Sequence, residues 1–255
     1  MTLARPMYTR CPKCGHRPLP PEQALPAACP ACGVILAKVA AATGPRRPAG
    51  DPGAASETSP LRERLLQVPE RVDPMHWWAR FVLLALFALW GLRLIALDHR
   101  QGEIGGSFIH GPLLVFHEAG HVLFRPLGEW MTVAGGTLMQ LLMPLVLLLA
   151  LLLKNRDPFG AAIGLWLLGV SLLDVAPYMY DALQPQLMLL SGSTGEDGGH
   201  DWIHLFSSLG LLPRAQTLGT ATHRLGAAVL LLSLGWAAWL LKLQRERVGP
   251  SRLGD

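Results

Sequence analysis

Five apolar runs, separated by polar or turn-forming stretches, organise the last two-thirds of this 255-residue chain. They extend from about Trp77 to Leu97, Ile104 to Leu127, Trp130 to Leu153, Phe159 to Tyr180 and Leu225 to Leu243. Each is close to the roughly 20 residues with which a helix crosses a bilayer. The pattern predicts an all-α polytopic membrane protein with four to five transmembrane helices. Trp77 and Trp78 suit the membrane interface, and Arg80 can snorkel outward. Arg93, about a turn from the far end of its run, must snorkel or find a partner. Between Trp130 and Leu153 there is no ionisable residue.

The first 74 residues have a different texture, rich in Arg, Pro and Gly. All four cysteines lie there, as Cys11-Pro-Lys-Cys14-Gly and Cys29-Pro-Ala-Cys32-Gly. Two such knuckles around a Pro-rich hairpin can close a four-thiolate zinc site. The glycine after each pair permits the tight turn that aims backbone N–H groups at sulfur. Residues 1–38 therefore read as a small zinc ribbon, too short to fold without its metal. Residues 39–74 read as a disordered linker, within which Leu61–Val68 forms either an interfacial or a solvated helix. The membrane domain takes residues 75–245, and 246–255 form a polar tail.

Composition sharpens this division. Hydrophobic residues make up 51% and charged residues 16%, which excludes an ordinary soluble domain. The net charge of +4 is not a nucleic-acid footprint. Only Arg10, Lys13, Arg17 and Lys38 decorate the ribbon, without interleaved aromatics, so nucleic acid is not expected as a partner. Thiolates imply a reducing compartment, which puts the ribbon in the cytoplasm, and no cleavable signal opens the chain. Lys154, Arg156, Lys242, Arg245, Arg247 and Arg252 favour the same side, whereas Asp181 to Pro213 carries no Lys or Arg and reads as external. Five plain crossings cannot satisfy all of these. Four crossings plus a half-inserted second run can.

That second run contains His117-Glu118-Ala-Gly-His121. A spacing of four sets both imidazoles on one helix face, where they can share one zinc ion while Glu118 takes a proton from bound water. The alternative is a pair of interior histidines bonded to backbone carbonyls. Catalytic zinc usually has three protein ligands, so a third donor is needed. Candidates near the apolar runs are Asp174, Asp181, Glu129, His110, His200 and His204. Pro177, between the two aspartates, is expected to open its helix and free backbone groups. Gly135, Gly136, Gln140 and Pro144 follow on the next run, where small residues favour close packing and Gln140 could bond substrate backbone.

These motifs resemble the site-2 protease family of intramembrane zinc metalloproteases. That family pairs H-E-x-x-H with an Asn-x-x-Pro…Asp-Gly motif on a later helix. The counterparts here are Asp174-Val-Ala-Pro177 and Tyr180-Asp181-Ala182, with Asp in place of Asn and Ala in place of Gly. The resemblance implies His117, His121 and Asp181 as ligands and Glu118 as base, with Asp174 near substrate. A further element, Gly199-His200-Asp201-Trp202, is similar to a His-Asp-Trp element in uncharacterised bacterial membrane proteins that join a zinc ribbon to an H-E-x-x-H helix. There His200 is an alternative third ligand, or a proton donor held by a carboxylate such as Asp201, or a helix cap.

The expected function is hydrolysis of peptide bonds in membrane-embedded protein substrates, in a bacterial inner membrane, with one zinc in the ribbon and one in the membrane. No residues can be assigned to substrate binding. The ribbon would meet a cytoplasmic protein partner. The alternative is a non-enzymatic membrane scaffold whose ribbon binds a partner and whose H-E-x-x-H is a structural or inactive metal site.

Overall fold

A computed structural model describes residues 8–11, 13–21, 27–36, 60–196 and 198–249. The chain divides into two units, Met1–Thr58 and Ser59–Asp255. The linker expected over 39–74 lies outside the described residues as far as residue 59, and the polar tail does so beyond 249.

In the first unit the two C-x-x-C turns close on themselves. Gly15 and Gly33 adopt φ of +75° and +68°, a region open to glycine, and donate their N–H groups to the carbonyls of Cys11 and Cys29 at 2.9 Å. A bridge between Ala28 and Ile35 pairs the second turn antiparallel. Among its described residues Cys11, Cys29 and Leu36 are buried, with Leu19, Cys32 and Val34 packed against them.

The second unit is helical. After a short helix α1 (Pro60–Leu65), α2 (Pro74–Ala96) starts at Asp73, whose Oδ1 accepts the N–H groups of Met75 at 2.8 Å and His76 at 3.3 Å. Pro74 occupies the first helical position, where it loses no bond. Then come α3 (His110–Phe124), α4 (Glu129–Leu149, continued by a π-turn to Lys154), α5 (Pro158–Asp181), the short α6 (Asp201–Ser208) and α7 (Ala215–Arg245). Among the described residues there is no strand beyond isolated bridges. Among the described residues four helices are long and apolar enough to cross a bilayer: α2, α4 with its extension, α5, and α7 with the turn before it.

Helix α5 is the hub. In its most apolar stretch 67% of residues are buried, against 11% in α2, which leaves most of α2 facing outward. Glycines let neighbouring backbones touch α5 and each other. A Cβ on Gly169 would lie 2.8 Å from the backbone nitrogen of Leu230, and one on Gly226 2.9 Å from the Gly169 carbonyl. Helices α5 and α7 thus meet backbone to backbone. Trp166, Val170, Leu173, Leu94 and Leu230 fill the core beside them.

The starts of α2 and α5 and the end of α7 share one end of the bundle. Arg80 Nη2 lies 3.3 Å from Asp157 Oδ1, Trp77 Nε1 donates to the Leu241 carbonyl at 3.0 Å, and Val72 bridges Val248. Lys154, Arg156, Lys242, Arg245 and Arg247 gather at that end, while 182–213 belongs to the other. Positive charge is only partly sorted, however, because Arg100, Arg214 and Arg224 stand at the other end with 182–213.

The second apolar run departs from a plain span. Only His110–Phe124 is α-helical, too short to cross, and a 3-10 turn over Glu103–Gly106 precedes it. Residues 98–109 descend from the end of α2, and Ile104, Ile109 and Leu113 pack into the core against Leu94, Trp166 and Val170. Helix α3 then runs back parallel to α5 and antiparallel to α4. The second apolar run thus forms a short helix that turns back into the bundle rather than a fifth long one. Pro177, in contrast, does not open α5, which continues to Asp181. The proline removes one N–H within the last turn, where burial of Ala176, Pro177 and Met179 holds the backbone helical.

Candidate metal centre

Gly120 on α3 and Gly135 on α4 bring those helices together so closely that a Cβ on Gly120 would collide with the Gly135 carbonyl. This contact sets the two histidines of α3 against the face of α4. His117 and His121 lie ring to ring, 4.8 Å between centroids. Facing them is Gly136. A Cβ there would lie 2.6 Å from His117 Nε2 and 2.7 Å from His121 Nε2. The space beside both nitrogens exists because residue 136 has no side chain.

Each ring is oriented from behind. His121 Nδ1 donates to the Thr132 carbonyl at 2.8 Å, and His117 Nδ1 lies 3.1 Å from Gln140 Oε1. The Gln140 amide can face only one way. Its Nε2 donates to Asp174 Oδ2 at 2.8 Å, and a carboxylate only accepts, so its oxygen must take the proton on His117 Nδ1. Asp174 Oδ1 meets His110 Nδ1 at 2.9 Å, completing a line His110–Asp174–Gln140–His117. With both Nδ1 atoms acting as donors, both Nε2 lone pairs are free to bind.

They converge on Asp201. Its Oδ2 lies 2.9 Å from His117 Nε2 and 3.4 Å from His121 Nε2. Ligands of a tetrahedral zinc with bonds near 2.05 Å stand about 3.3 Å apart, so this donor set and spacing fit the ion. Glu118 forms a mutually close cluster with the two histidines, a carboxylate oxygen within 4.8 Å of their nitrogens, and Asp201 approaches the same nitrogens from α6. The Asp201 backbone N–H donates to Tyr178 Oη at 2.9 Å, tying α6 to the end of α5.

The structure places the other candidates nearby but not in the group. Asp181 turns away from the histidines of α3. Its Oδ1 accepts the N–H groups of Gln186 at 2.8 Å and Leu187 at 3.2 Å, and its Oδ2 lies 3.3 Å from His200 Nε2. His200 caps α6, its Nδ1 accepting the Ile203 N–H at 3.3 Å, so its Nε2 carries the proton shared with Asp181. Together they fix the start of α6, and hence the Asp201 beside it. Asp174 supports Gln140 rather than reaching the ring nitrogens. Glu129 and His204 are not in the group. Asp201 is the donor that spacing alone did not single out. Its only signal was its place in the His-Asp-Trp element.

A cavity of about 630 Å³ opens beside the group. Glu118, His110 and Asp174 supply polar wall, and Ile104, Leu114 and the Leu187–Leu190 strip supply apolar wall. In the first unit the four sulfurs also converge. Cys11 and Cys32 are 3.7 Å apart, Cys14 and Cys29 3.8 Å. Thiolates of a tetrahedral zinc with bonds near 2.3 Å stand about 3.8 Å apart, which also fits. Comparison with protein-family models, curated proteins and solved structures finds no match to this chain.

Proposed function

We propose that the chain is an intramembrane zinc metallopeptidase of site-2 type, cutting peptide bonds in membrane-embedded segments. One observation carries the reading: Asp201, from a separate short helix, sets one oxygen against the Nε2 atoms of both histidines with Glu118 beside them. In this reading His117, His121 and Asp201 hold zinc. Asp181, whose oxygens are engaged by Gln186, Leu187 and His200, does not. Cys11, Cys14, Cys29 and Cys32 hold a second zinc in a cytoplasmic ribbon that meets a protein partner, and the membrane is a bacterial inner membrane.

Held by His117, His121 and Asp201, zinc would supply Lewis acidity for deprotonation of water and polarisation of a carbonyl. Glu118 accepts the proton from the attacking water and returns it to the leaving amine. Gln140 and the Thr132 carbonyl hold the rings so that no reorientation is needed during reaction. The cavity's apolar wall accommodates side chains of a substrate segment that has unwound, because helical backbone shields its carbonyls from attack.

The test uses the full chain purified in detergent with a membrane-embedded peptide reporter. Wild type should carry two zinc ions per chain. His117→Ala and Asp201→Ala should each lose one, Cys11→Ser should lose the other, and Asp181→Asn should keep both. Glu118→Gln should retain both ions and lose cleavage. One zinc per chain, lost with Cys11→Ser, would instead indicate the non-enzymatic scaffold. Cleavage by Glu118→Gln would remove Glu118 from the mechanism.

A further inference from the structure

A second cavity, of about 410 Å³, lies at the end of the bundle opposite the lysine- and arginine-rich one. Its walls are Arg100, Tyr180, Gln216, Thr217, Thr220 and Arg224. Gln216, Thr220 and Arg224 follow one another at intervals of four, so a single stripe of α7 turns polar side chains toward it. Arg100 enters from the turn that ends α2, and Tyr180 from the last turn of α5. No carboxylate lines the cavity.

Neither guanidinium has an acidic partner among the described residues. The acids of the Arg100 turn are occupied with backbone. Asp98 Oδ1 accepts the Arg100 N–H at 2.9 Å, and Glu103 Oε2 accepts the Asp98 N–H at 2.8 Å. The wall is also fixed in place. His99 Nε2 and Thr220 Oγ1 are 3.2 Å apart, and the His99 ring stacks on His223 with centroids 4.4 Å apart. Burial lowers the pKa of His99, which leaves it neutral. The two arginines are therefore the cavity's charges.

Depth in the bilayer adds a reason for their presence. At 31 residues α7 is about 46 Å long, well beyond the ~30 Å hydrocarbon layer. Its apolar run begins only at Leu225, so where α7 crosses a bilayer its polar first turns are the part nearest the headgroups at that end. The abundant anion at that level is a phosphodiester. Guanidinium forks match its oxygens two by two, and hydroxyls can donate to the remainder.

We propose that this cavity binds a phosphate-bearing anion, either the phosphodiester of an anionic lipid headgroup or free phosphate, gripped between Arg100 and Arg224 with Thr217 and Thr220 as further donors. The site is separate from the metal centre and does not depend on the chain being a peptidase.

The experiment titrates the detergent-purified full chain with phosphatidylglycerol or with zwitterionic phosphatidylcholine, counting retained lipids by native mass spectrometry. In parallel, inorganic phosphate is compared with chloride at equal ionic strength by thermal unfolding. One phosphatidylglycerol should be retained in preference to phosphatidylcholine. Combining Arg100→Gln with Arg224→Gln should weaken that retention by roughly tenfold or more, the scale of lost charged hydrogen bonds. Arg224→Lys, which keeps charge but not the fork, should fall between, and Arg214→Gln, outside the cavity, should match wild type. If both lipids are retained alike but phosphate raises Tm in wild type and not in the double variant, free phosphate is the source. Preference for phosphatidylglycerol unchanged in the double variant overturns the proposal. So does the absence of both the lipid preference and the phosphate shift.

Discussion

The described residues contain two clusters of metal-ligand type, and they are supported in opposite ways. The four cysteines are gathered by local turns, each closed by a glycine, and among the described residues there Leu36 is the buried apolar side chain other than cysteine. The His117–His121–Asp201 group is gathered by a packed helical bundle, its rings held from behind by Gln140 and the Thr132 carbonyl. In the first, a metal would have to supply the folding free energy. In the second, the fold supplies the site and a metal only occupies it. The same element can thus be an organiser in one place and a guest in another.

The largest expected effect separates the two directly. Removing metal with a strong chelator should abolish the order of the first unit, where bound zinc is worth about 10–16 kcal/mol in comparable small units. Helix content of the bundle should persist under the same treatment, as followed by far-UV circular dichroism and amide exchange. Loss of both together would end the comparison.

Next comes the contact that sets the bundle's geometry. Gly120→Ala drives a methyl into the Gly135 carbonyl, backbone that cannot yield cheaply. It should destabilise the bundle by about 1–3 kcal/mol, toward the upper end, and splay α3 from α4. A thermal midpoint equal to wild type would show that the helices do not depend on this approach.

Gln140→Leu is a smaller and more selective break. It keeps the volume but leaves Asp174 Oδ2 and His117 Nδ1 without their partner. Helicity should be retained while zinc affinity of the membrane site falls about 10–100-fold, the usual cost of losing an outer hydrogen bond to a ligand. Competition with a fluorescent chelator measures it. Zinc in the cysteine cluster should be unaffected.

The smallest effect belongs to the half-exposed Arg80–Asp157 pair at the charged end. Arg80→Ala should cost under about 1 kcal/mol and leave both clusters untouched, with part of that loss coming from its contact over the Phe159 ring rather than from charge. A loss of several kcal/mol in thermal unfolding would mean the pair anchors the bundle.

Much of this was legible in the sequence, because periodicity and short motifs are local. The apolar runs mark α2, α4 and α5 to within a few residues, and the glycine after each C-x-x-C marks a left-handed turn. The lysines and arginines around 154–156 and 242–247 favour four long spans over five, and four helices of that length are present while the second run is α-helical only over His110–Phe124. What was not legible depends on packing. The α7 helix begins ten residues before its apolar run, since Gly219 packs on the backbone of Ala176 and Tyr180 and keeps a polar stretch helical. Asp181 follows Pro177 much as a ligand would, yet spacing cannot show that its oxygens turn to the Gln186 and Leu187 amides. Asp201 reaches the histidines through a glycine-rich loop, and no period connects the two.

That loop has a consequence during synthesis. Asp201 lies 84 positions after His117. While the ribosome is still making the intervening stretch, the nascent helix pair holds its two imidazoles without their carboxylate. The centre is completed only when the last part of the chain emerges and seats α6. Whatever chemistry the centre performs would in this way wait until most of the chain had been made.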